Sequence, residues 1–145
     1  MLALLLLAVF AGALLPVQAG VNAQLRVTLG HPVTATLVSF LIGSVALALV
    51  ALAGRIPLAL GPGLSRAPWW HWTGGLLGAV YVALIILLAP RLGAAALIAA
   101  VVAGQMLASL ALDQWALVGF PLDPLSPQRV LGALLVIGGV ALVRG

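Results

Sequence analysis

Few groups in this chain could do chemistry. Its 145 residues hold two acids, Asp113 and Asp123, two histidines, His31 and His71, and six arginines, with no cysteine. Lysine and glutamate are absent. The polar residues that stand out do so by spacing. Gln18, Asn22 and Arg26 recur every fourth residue, and so do Gln105, Ser109 and Asp113. On a helix that interval puts each trio on one face. Neutral amides in such a stripe suit the binding of a polar or zwitterionic solute better than a strongly cationic one. Gln18 and Asn22 are equally suited to hydrogen-bonding across helices as packing contacts. Asp113 has two readings, a protonatable group that binds a proton or a cation in competition, or a structural residue: an anchor at the membrane interface or a partner for an arginine. Asp123, in a Pro-rich turn, is expected to be solvated.

These residues compose no catalytic constellation. There is no Ser/His/Asp order with supporting spacing and no glycine loop following a strand. His31 and His71 have no convergent second ligand, so no metal site is expected. The absence of cysteine excludes disulfides and thiolate metal sites. No cofactor site is legible, and an enzyme is not expected. The basic residues give a net charge of +4 but are scattered one or two to a loop. Without a polybasic cluster, nucleic acid is not an expected partner.

The elements that position the stripes are set by hydropathy. Sixty-five per cent of the residues are hydrophobic and only 6% are charged, with a mean hydropathy of +1.34. A soluble domain of this size has no use for so much apolar surface. Several apolar runs approach or exceed the roughly 18 residues of a spanning helix. The expected fold class is all-α: a polytopic membrane bundle of five transmembrane helices in the lipid bilayer, forming one domain over 1–145. The expected helices cover about 2–29, 32–53, 69–89, 92–115 and 128–144. The third is expected to stop at Pro90. Trp69, Trp70, Trp72 and Trp115 mark membrane interfaces.

The first helix is the least obvious. VQA before Gly20 has the small residues of a signal-peptide cleavage site, but no basic residue precedes the long apolar run. Nothing from Gly20 to Gly30 is a strong turn signal. Gly30 suits a helix end and Pro32 a helix start. The first helix is therefore expected to extend to about Leu29, carrying Gln18 and Asn22 at membrane depth. Pro16 within it cannot donate to the Gly12 carbonyl and is the expected kink. Polar side chains at that depth turn toward protein or a wet cavity. Ala96, Ala100, Gly104 and Ala108, with Gly74 and Gly78, form small-residue ridges of the kind that let helices pack closely.

Alternating the loops puts Arg26, Arg91 and Arg144 on one side and Arg55, Arg66 and Arg129 on the other. Orientation follows an excess of arginine and lysine on the cytoplasmic side. A balanced chain can insert both ways, and two opposed copies form an antiparallel dual-topology homodimer. A five-helix unit, once duplicated and fused, is inverted in its second copy, so the chain has the form of half of a ten-helix inverted-repeat transporter.

The order of several short groups completes a likeness. Pro16-Val17-Gln18 with Asn22, Ser39-Phe40 with Gly43, and Trp72 with Gly74-Gly75 and Gly78 come first. Pro90 with Leu92-Gly93, Gly104-Gln105, Asp113, and Arg129 with Gly132 and Gly138-Gly139-Val140 follow. In this order the chain resembles the YdcZ-like family of small inner-membrane proteins, within the drug/metabolite transporter superfamily. The resemblance implies a multi-pass protein of the cell inner membrane, paired with itself or with an oppositely oriented homologue, and acting as an exporter. A weaker resemblance to small multidrug transporters fails at their first-helix glutamate, where this chain offers Gln18 and Asn22. The resulting expectation is a small-solute transporter working by alternating access. Gln18, Asn22 and Gln105 are its expected solute contacts, Trp72 and Tyr81 are secondary ones, and Asp113 is a possible coupling group. The alternative is a structural or accessory small membrane subunit without transport of its own.

Overall fold

Backbone hydrogen bonds must be closed within each segment wherever lipid replaces water, and an apolar chain achieves this as helices. The computed structural model describes residues 1–57 and 67–144, and the described residues contain helices and no strand. Helix α1 spans Leu2–Leu29 and α2 spans Pro32–Ala53. A 3₁₀ turn at Trp69–Trp72 leads into α3, Thr73–Leu92. Helix α4 spans Ala94–Gln114, and α5 spans Pro127–Arg144. Arg66, on which the charge tally partly rests, lies outside the described residues. The chain divides into two compact units, Met1–Pro90 and Arg91–Gly145.

Four of the helices, with α3 taken from Trp69, are long and apolar enough to cross a membrane, and α5 is a shorter apolar helix. Their surfaces demand lipid. Leu4, Leu5, Leu6, Leu7, Val9 and Phe10 all lie exposed around the first turns of α1. An apolar patch of that extent is not kept in contact with water by a soluble protein. At 1.5 Å per residue α1 is roughly 42 Å long against a hydrocarbon core of about 30 Å, so it tilts or emerges. It remains one helix through Pro16.

Two residues settle the turn between α1 and α2. Gly30 takes the left-handed conformation, φ 79°, and its N–H donates to the Arg26 carbonyl at 2.8 Å. His31 is the N-cap of α2: its Nδ1 accepts from the Val33 N–H at 3.2 Å, with Pro32 at the first helical position. Gly30→Ala puts a Cβ where left-handed geometry disfavours one, and is expected to cost about 1 kcal/mol in a denaturation midpoint measured in detergent.

Pro90 does not end α3, which continues to Leu92. A proline removes the one bond its own nitrogen would make and leaves the following residues free to stay helical. The chain turns instead at Gly93, whose φ of 73° suits glycine, and α4 begins at Ala94.

In the first unit α1 packs along α2. Ala35 of α2 meets Val82 and Ile86 of α3 in a buried cluster, with Leu25 and Tyr81 packed against it. In the second unit α4 packs along α5, and Leu97 and Ala133 are buried. The small-residue ridges contribute little to this packing. Ala100, Gly104 and Ala108 are exposed, and a Cβ added at Gly74 or Gly104 would meet nothing within 4 Å. Gly78 is the exception, with Phe40 3.6 Å from where its Cβ would be.

Candidate functional site

The α1 stripe and α2 together form an open groove of about 640 Å³. Leu14, Gln18, Asn22 and Leu25 line one wall, and Ser39 and Ile42 line the other. The four-residue periodicity of α1 carries Gln18 and Asn22 onto the same side, and the packing of α2 brings Ser39 to them. Every other lining residue is apolar. Gln18 is exposed, whereas Asn22 is only 4% exposed. Such burial of an amide is tolerated when it is paired or open to water or ligand. The Asn22 side chain makes no hydrogen bond among the described residues, and no enclosed polar atom there is left unpaired. Its amide is therefore not fully enclosed, and Asn22 is one of the residues that line the groove.

Ser39 went unassigned when sites were read from the sequence. Its spacing from Thr36 and Gly43 is visible there, but its place opposite Asn22 comes from helix pairing. The remaining predicted contacts lie elsewhere. Trp72 is 54% exposed in the 3₁₀ turn. Tyr81 is half-buried against the Ala35–Val82–Ile86 cluster. Gln105 belongs to the second unit and is exposed on α4. Among the interfacial aromatics, His71 sits edge-on to Trp70 with ring centroids 4.1 Å apart.

Asp113, at the end of α4, is paired with Arg129 of α5. The same guanidinium reaches the Asp123 carboxylate at 3.1 Å, so Asp123 is engaged as well as solvated. The connecting segment is held to the end of α4 by two more bonds. The Asp123 N–H donates to the Asp113 carbonyl at 3.0 Å, and the Leu125 N–H donates to Gln114 Oε1 at 2.7 Å. Between them Ala116 and Val118 adopt positive φ angles of 48° and 55°. For a β-branched residue such as Val118 this conformation is strained, and the surrounding bonds hold it. Arg129 also lines a cavity of about 400 Å³ with Met106, Ser109 and Gly132. No group of three or more histidine, cysteine or acidic residues able to hold a metal occurs among the described residues.

Residues 3–142 match the model of a family described as "Putative inner membrane exporter, YdcZ". The chain belongs to the YdcZ family. The match covers both units and every helix described above. It accords with the apolar spans in identifying a multi-pass protein of the inner membrane, in a family described as inner-membrane exporters. No curated protein and no solved structure matches this YdcZ-family chain.

Proposed function

We propose that this YdcZ-family protein exports a small solute, by alternating access, as an antiparallel homodimer of two oppositely inserted copies. On this reading each chain is half of a ten-helix inverted-repeat transporter. The observation that carries the solute path is Asn22: it is only 4% exposed, has no side-chain hydrogen bond among the described residues, and lines the α1–α2 groove. Gln18 and Ser39 complete its polar lining. A purely structural subunit would be expected to satisfy that amide within its own packing. Gln105 is proposed as a further solute contact on α4, and Tyr81 and Trp72 as secondary ones. Asp113, paired with Arg129, is the proposed coupling group. The exposed ridge of Ala100, Gly104 and Ala108 supports close helix contact with a second copy.

The chain has no cysteine, so single cysteines report without background. Gln18→Cys, Asn22→Cys and Ser39→Cys are expected to react with a membrane-impermeant maleimide, at least about tenfold faster than Leu47→Cys on the exposed apolar surface of α2. Equal, negligible labelling at all four positions would mean that the groove is dry and the amides serve packing.

A further inference from the structure

The lining of the α1–α2 groove also selects among solutes. Its polar side chains are Gln18, Asn22 and Ser39, and none of the lining residues is ionisable. A carboxylate or ammonium entering it would shed water and meet no counter-charge among the lining residues, since Arg26, one turn beyond Asn22 on α1, is not one of them. A bare hydrocarbon would leave the Asn22 amide without a partner. Amide and hydroxyl side chains each both donate and accept, so they match a solute group that does the same. The volume of about 640 Å³ is within the ordinary range for small-molecule sites. Neither Asp113 nor Asp123 is among the residues lining the groove.

The amide stripe alone suits a polar or zwitterionic solute, but the apolar remainder of the lining narrows that expectation: we infer that the groove binds an uncharged, largely apolar solute bearing a hydroxyl or amide group, and discriminates against charged solutes of the same shape. The inference rests on the groove being the solute path, and the experiment separates the two claims.

Ile42 lines the groove through an apolar side chain, so Ile42→Cys in the full chain is the reporter. Its maleimide labelling rate in detergent would be measured with 1-naphthylmethanol, 1-naphthylmethylammonium or 1-naphthoate. The neutral alcohol is expected to slow labelling several-fold more than either ion. Adding Asn22→Leu, a change compatible with a helix in an apolar setting, is expected to weaken that protection by about threefold to tenfold, the worth of one hydrogen bond. Unprotected labelling must persist in that double variant, which shows that it is folded and the groove open. If Ile42→Cys does not label at all, the groove is closed to water and the solute-path reading fails. If it labels and the ions protect as well as the alcohol, or if none of the three protects, the solute class is wrong while the path stands. Protection by the alcohol that Asn22→Leu leaves unchanged reflects partitioning into detergent and also overturns the inference.

Discussion

Replacing Arg129 by alanine is expected to destabilise the α4–α5 unit by about 2 kcal/mol, read as a shifted denaturation midpoint in detergent. Arg129 holds both acids of the chain, but the two pairs are not equal. The Asp113 side chain is 22% exposed and that of Asp123 is 64% exposed. An exposed pair contributes at most about 0.5–1 kcal/mol, because water and salt screen it. A partly buried, charge-assisted hydrogen bond contributes about 1.5–3 kcal/mol. Asp113→Asn should therefore reproduce most of the Arg129→Ala loss, and Asp123→Asn should cost about 0.5 kcal/mol or less. In a double-mutant cycle, Arg129 and Asp113 should couple by at least about 1 kcal/mol. Equal small effects at both acids would mean that the clasp is a surface feature, and that other contacts hold the strained Ala116–Val118 turn.

The second large effect concerns transport. Gln18→Leu and Asn22→Leu are each expected to reduce solute flux at least about tenfold in reconstituted vesicles, with expression and assembly unchanged. Both substitutions favour a helix in an apolar setting, so loss of fold does not explain a loss of flux. Asn22→Leu is expected to be the more severe, because Asn22 is buried in the groove whereas Gln18 is exposed. Wild-type flux in both variants would return the two amides to a packing role.

How much of this was legible beforehand differs from helix to helix. The long first helix could be read because Gly20–Leu29 lacks a turn signal and Gly30 supplies one. Its amide stripe followed from spacing alone. Helix α3 runs three residues beyond its expected end near Ala89, because proline is a weaker stop than a glycine with positive φ: the helix passes Pro90 and turns at Gly93. His31 could have been read as a cap, since Pro32 at the first helical position leaves the preceding residue at the N-cap. Pairing of Asp113 with an arginine was one of its readings, but Arg129 as that arginine could not be read. Its partners lie 6 and 16 residues away across a Pro-rich turn, and no periodicity links them. Ser39 likewise gains its meaning from the pairing of α2 with α1. Sequence spacing gives the face of a helix, and only tertiary packing gives what stands opposite.

The central claim is that one chain serves as both halves of an inverted pair. A reporter active only in the cytoplasm and another active only outside it, each fused after Arg144 in separate copies, test it directly. Comparable activity from both fusions is expected under the proposed antiparallel pairing, in which the arginines divide equally between the two sides. Activity from one fusion alone would show a single orientation and contradict the antiparallel homodimer.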